Sequence, residues 1–196
     1  MTGVQTCALP ICTPKREPFI PNGPPGSFDC GFIGTAREPL VMGDELWFYY
    51  SGWDTPHVNK GNPWEKTYPK AAVGIATMRL DGFCSMRAGL KEGWLVSRRE
   101  VFNTPRVTVN AASAPGGYVT AELVDRHNKV IPGFEKSVCI PFTGDSVRGE
   151  LAWKTKTFPP DFIDRDKKIK FYLKNANLYS YLPSDINQTI DDGRPD

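Results

Sequence analysis

From Thr13 onward the apolar positions of this chain follow strand patterns, with little sign of helix. Two apolar runs, Gly31 to Ala36 and Leu46 to Ser51, flank Met42-Gly43-Asp44-Glu45, where Gly and Asp supply turn geometry. That arrangement predicts a β-hairpin. A polar loop from Asp54 to Lys70 leads to a third predicted strand, Ala72 to Arg79, closed by a turn at Asp81-Gly82. Along Leu46-Trp47-Phe48-Tyr49-Tyr50 both parities are large and apolar, so both faces of that strand want cover, whereas a half-solvated hairpin would alternate with polar residues. A β-propeller blade, held between two neighbouring blades, meets that demand; so does a central strand of a sandwich.

The second half of the chain alternates instead. In Val107 to Ala111, Val119 to Leu123, Val147 to Trp153 and Ile169 to Leu173, apolar residues alternate with Thr, Asn, Glu, Arg or Lys, the mark of strands with one wet face. Turn signals separate them at Ala114-Pro115-Gly116-Gly117, His127-Asn128-Lys129, Ile131-Pro132-Gly133 and Thr143-Gly144-Asp145. About seven strands at regular spacing predict a β-sandwich able to bury its own core.

The fold expected is therefore all-β, a first sheet that is either a propeller blade or part of an ordinary sandwich, followed by a β-sandwich. The boundaries expected are 1–16 for an N-terminal segment outside the fold, 17–80 for the first sheet, 81–182 for the sandwich and 183–196 for a polar tail. Met1 to Ile11 carry no charge and no period, and lack the basic and long apolar regions of a signal peptide. The string MTGVQTCALPI resembles the translation of a sequencing adapter read into a gene fragment, which implies that the natural N-terminus is missing; a disordered natural tail is the alternative. Five prolines between Thr13 and Phe28 make the next stretch an extended connector.

Composition narrows the chemistry. Across 196 residues, 24 Lys and Arg are interspersed with 22 Asp and Glu for a net charge of +2, which offers no basic stripe for a nucleic acid. The longest apolar runs fall well short of the ~20 residues of a membrane span, so neither nucleic acid nor membrane is expected as a partner. With Cys7 inside the adapter-like string and Cys12 beside it, Cys30, Cys84 and Cys139 are widely spaced, and the histidines, His57 and His127, lie far from any thiol. No metal site is expected. The acidic run Asp161, Asp164, Asp166 lacks the ligand spacing and closing Glu of a calcium loop, and His127 reads as a solvated turn residue. No Ser-hydrolase elbow, phosphate loop or dinucleotide fingerprint is present, so no cofactor is expected.

The order SFDCGFIGTAREPLVMGDELWFYYSGWDTPH, AAVGIATMRLDGFCSMRAG, GGYVTAELVDRHNKVIPGF and TGDSVRGELAW resembles bacterial relatives of the five-bladed propeller glycoside hydrolases, similar to the arabinanase and invertase-like families, from Glu17 to about Leu182. The resemblance implies a partial β-propeller, its last blade over 17–80, followed by a C-terminal β-sandwich over 81–182, the earlier blades being absent. It implies a parent that hydrolyses glycosidic bonds with two carboxyl groups, one as acid and one as base or nucleophile. Neither is matched by a motif here, so no catalytic residue is carried over and the fragment alone is expected to be inactive. Two places are candidates for a carbohydrate ligand: Asp29, ahead of the innermost strand, and the cluster Tyr50, Trp53, Asp54 and His57, which combines an aromatic wall with a few polar groups. The alternative is a non-catalytic module, either carbohydrate-binding through exposed rings such as Tyr118, Tyr172, Tyr179 or Tyr181, or purely structural.

Overall fold

A computed structural model of the chain describes residues 17–56, 70–100, 102, 106–154 and 167–183. It is all-β, and its two open antiparallel sheets lie in two compact units, Met1–Leu80 and Asp81–Asp196.

The sheet of the first unit is built on one central strand. Strand β3 (Glu45–Trp53) pairs along its whole length with β4 (Ala71–Arg79), from Glu45 opposite Arg79 to Trp53 opposite Ala71. Its other edge is shared by β1 (Phe32–Thr35), which reaches Trp53, and β2 (Leu40–Met42), which reaches Glu45. The turn expected at Gly43-Asp44 is present, with Gly43 at φ 64° in the left-handed region that a side chain disfavours. The strand entering that turn is β2, however, rather than the run from Gly31 to Ala36. Pro39, which has no N–H to donate, lies in the break between β1 and β2.

Directly opposed residues share a face, so the register sorts the side chains of this sheet. Ile33, Val41, Leu46, Phe48 and Tyr50 point one way. Phe32, Leu40, Trp47, Tyr49, Trp53, Val73 and Ile75 point the other. The connector covers much of the first face: the Phe19 ring meets Phe48 edge-on at 4.9 Å, the Phe28 ring stacks on Tyr50 at 6.1 Å, and Leu46 is buried. The second face keeps Leu40 at 52%, Ile75 at 47% and Val73 at 71% exposure, and on the first face Val41, in the edge strand β2, is 63% exposed. The double-sided apolar character read from Leu46 to Tyr50 is thus met on one side only, among the described residues.

In the second unit a single six-stranded sheet serves as both layers. Two long strands form its spine, β7 (Arg106–Val124) and β10 (Lys168–Leu182). β5 (Met86–Ala88) and β6 (Gly93–Val96) pair with β10, while β9 (Asp145–Trp153) pairs with the first half of β7 and then with β8 (Cys139–Ile140). The turn expected at Ala114 to Gly117 proves to be a corner within one continuous strand. There the register slips, with Lys174 opposite Tyr118 but Ala176 opposite Ser113, and Gly116 (φ 74°) and Asn175 (φ 43°) take left-handed backbone.

A short strap shows that the two halves of this sheet come together. Cys139 pairs with Trp153 on β9, whereas Phe142, three residues on, exchanges backbone hydrogen bonds of 2.8 and 2.9 Å with Val119 beyond the corner. Three residues of extended chain span ~10 Å, the usual separation of facing sheets. One core fills the enclosure: Val107, Val109, Ala111, Ala176 and Leu178 from one half, Val119, Ala121, Leu123, Ile169, Phe171 and Leu173 from the other, with Phe102, Phe134, Leu151 and Trp153. The alternation read from the sequence therefore selects the inner face correctly. The strands β5 and β6 went unread, because three or four residues hold too few alternations to show a period.

Replacing Phe171, which has no exposed surface, by Ala is expected to cost about 3–5 kcal/mol of unfolding free energy. Val73→Ala, on the bare face of the other sheet, should stay within about 0.5 kcal/mol. Equilibrium denaturation of the two variants beside the parent chain measures the contrast.

Candidate functional site

The residues expected to contact a ligand divide between the two faces of the first sheet. Asp29 lies at the end of the connector, 8% exposed, against the covered face. Its Oδ1 accepts a hydrogen bond from the Ser27 hydroxyl at 2.7 Å and its Oδ2 one from the Tyr50 hydroxyl at 3.0 Å. Bare backbone makes the space for it: a Cβ on Gly52 would stand 2.5 Å from the Asp29 Cβ, and one on Gly23 would collide with the carboxylate itself. The Ser27 hydrogen bond is the main influence holding the Asp29 carboxyl below its ordinary value; burial opposes it and the Tyr50 hydroxyl adds to it. Tyr50 is pushed the other way, first by burial and then by the Asp29 carboxylate whose charge disfavours a phenolate.

Trp53 is separated from this pair by the strand period. Three positions along β3 from Tyr50, it falls on the opposite face, where its indole packs against its cross-strand neighbour Phe32 at 5.3 Å. Asp54 acts as a clamp at the base of the long loop. Its backbone N–H donates to the Lys70 carbonyl at 3.1 Å and its Oδ1 accepts from the Lys70 N–H at 2.9 Å. His57 lies outside the described residues. Asp29 and Tyr50 are therefore brought together, in a network that uses both carboxylate oxygens, and Trp53 and Asp54 have local packing partners of their own.

A second cluster lies on the outer face of the other sheet, where Tyr118 and Tyr172 were anticipated as possible ring contacts. Tyr172 stands between Trp94 on β6 and Thr120 on β7. Its hydroxyl donates to Glu122 Oε1 at 2.6 Å, and the same oxygen accepts from Lys170 at 3.3 Å. Lys170 lies 5.1 Å from the Tyr172 ring centre and 5.2 Å from that of Trp94. Lys136 rests 4.2 Å over the Tyr172 ring and donates to both oxygens of Glu92 at 2.7 and 2.8 Å, while the Tyr118 hydroxyl donates to Glu92 Oε2 at 2.5 Å. The Lys136 hydrogen bonds, then the Tyr118 one, hold Glu92 below its usual carboxylate range. Lys170 is raised, chiefly through Tyr172, then through Glu122. Sequence reasoning missed Trp94; its signal was the alternation with Leu95, which packs against the core.

The other two rings anticipated there are not equivalent. Tyr181 packs against the core, its ring 5.0 Å from Phe171 and its hydroxyl donating to Glu100 at 2.6 Å. Burial, and then the Glu100 carboxylate, raise its ionisation well above the usual phenol range. Tyr179 is half-buried. Among the described residues there is no cluster of three or more metal-ligating side chains, and Cys30, Cys84 and Cys139 are free thiols.

Comparison of the chain with protein-family models, with curated proteins and with solved structures finds no match in any of the three.

Because Asp29 is depressed in the folded state, its stabilising effect is complete above the unfolded value of ~3.9 and is lost as pH falls through the lower folded value. Ser27→Ala and Tyr50→Phe should each move its titration midpoint upward, Ser27→Ala the further. Carboxyl-carbon NMR titration of Asp29 in the parent and both variants measures the order.

Proposed function

We propose that this chain is the C-terminal part of a carbohydrate-active enzyme that hydrolyses glycosidic bonds, the first unit being the last blade of a β-propeller and the second a buttressing sandwich. The observation that carries the reading is the lopsided cover of the first sheet. One apolar face lies under the connector at Leu46, Phe48 and Tyr50, with Val41 open at its edge, and the other leaves Leu40, Val73 and Ile75 open to solvent. A soluble protein gains by covering such a face, and a neighbouring propeller blade is the partner that the reading supplies.

In such an enzyme two carboxyl groups flank the scissile bond, ~5–5.5 Å apart for retention and ~6.5–9.5 Å apart for inversion. Asp29 is not offered as either. Its two oxygens already accept hydrogen bonds, and its depressed ionisation suits a fixed anion better than a proton donor. On this reading the acid and the base lie on blades outside this sequence, and the Asp29–Tyr50 pair holds the connector to the blade near the ligand funnel.

The test is hydrolysis. Incubated with arabinan and fructan, the purified chain should release no reducing sugar, while the protein encoded by an unbroken copy of the gene should cleave at least one of a panel of plant and bacterial glycans. Cleavage by the chain alone, or an intact protein inert on the whole panel, would contradict the proposal.

A further inference from the structure

We propose that the outer face of the β6, β10 and β7 strands binds an oligosaccharide bearing carboxylate groups, with the Trp94 indole as its stacking floor. The inference takes up the non-catalytic side of the carbohydrate reading above and concerns a surface of the second unit alone. Trp94 is 66% exposed on a folded sheet whose inner side is closely filled, although an indole left in water forgoes much of its hydrophobic stabilisation. Its neighbour Leu95 already supplies the strand's anchor to the core. The core therefore does not engage the indole, which stands at the surface with Lys170 5.2 Å from its ring centre.

What surrounds the indole is an ordered polar frame. Lys170 is held between Trp94 and Tyr172 by Glu122, and Lys136 is held over Tyr172 by Glu92, which Tyr118 also engages. These side chains give up their rotamer freedom on folding, so a ligand bound among them has little further ordering to pay for. An apolar ring beside fixed donors matches a sugar, whose ring C–H face stacks on an aromatic plane while its hydroxyls take hydrogen bonds.

Charge chooses the kind of sugar. Lys168, Lys170 and Lys174 project from β10 on the side of Tyr172, and Lys136 lies above it, against Glu92 and Glu122. Four ammonium groups against two carboxylates leave the face positive within a chain that is nearly neutral overall. Lys174 acts on Glu92 through space, and Lys168 is held by the Asn128 side chain at 3.0 Å rather than by a carboxylate. Both are placed to meet an anionic substituent. A uronate supplies the ring and the carboxylate in one residue.

Affinity electrophoresis in gels containing polygalacturonate, neutral galactan or dextran sulfate tests this. The chain should be retarded by polygalacturonate, at least about tenfold less by galactan, and less at high salt, which screens exposed charges. Trp94→Ala should weaken retention by about tenfold, the equivalent of about 1.4 kcal/mol, and Trp94→Phe, which keeps a ring, by less. Lys174→Glu should weaken retention by polygalacturonate without altering the small effect of galactan. A Trp94→Ala chain with a parental unfolding midpoint that is still retarded like the parent would overturn the proposal. So would equal retardation by galactan, or retardation by dextran sulfate alone, which would mark simple ion exchange. Retention reads binding and not cleavage, so a negative result here leaves the hydrolysis test of the preceding section standing, and the converse holds.

Discussion

A β-sheet has two faces, and each apolar face needs cover. Most of the structure follows from how this chain meets that requirement. In the second unit the sheet covers itself: β7 and β10 run long enough to bend, and the corner at Gly116 and Asn175 brings one half over the other. The strap from Cys139 to Phe142 joins the two halves, so Val107, Val119, Ile169 and Phe171 have no exposed surface. Among the described residues the first unit has no such corner. Its sheet is short, and the proline-rich connector lies across one face of it.

The two units treat their polar groups differently as a consequence. On the folded sheet even outward positions of the long strands are withdrawn from water, so Thr120 and Glu122 are buried. Glu122 is satisfied by Tyr172 and Lys170. The Trp153 indole N–H has no hydrogen-bond partner among the described residues, at a cost of about 1–3 kcal/mol. Among the described residues of the first unit the buried carboxylate is Asp29, and each of its oxygens accepts a hydrogen bond, in a space that glycines at 23 and 52 leave open. Its network joins the connector to β3 and so secures the cover of that face.

This contrast bears on the proposed role. A self-enclosed sandwich can stand as a unit and carry a binding surface on its outside, while a sheet with one bare apolar face invites a neighbour. The proposed enzyme assigns catalysis to blades beyond this sequence and leaves the sandwich two tasks, support and contact with the polymer. Trp94 and the lysines around it suit the second. The inward-turned Tyr181, held by Glu100 and packed on Phe171, suits the first.

Periodicity and turn chemistry were enough to read the all-β class, the central strand at Leu46 to Tyr50, the turn at Gly43-Asp44 and the inner faces of β7, β9 and β10, because each depends on neighbours within a few residues. The sequence did not disclose that Ala114 to Gly117 bends one strand instead of ending it, since a corner and a hairpin turn draw on the same residues and differ only in what the chain pairs with afterwards. Nor did it divide the expected cluster: Tyr50 and Trp53 are close in sequence, but an odd spacing on a strand puts them on opposite faces, and only the pairing shows which face is covered. Trp94 was passed over for a related reason. Its exposure is a property of the whole folded sheet, and a tryptophan in a short run gives no sign of whether its ring will face the core or the water. Local backbone preference is written in the sequence, whereas cover, exposure and the meeting of distant side chains arise only when the strands close on one another.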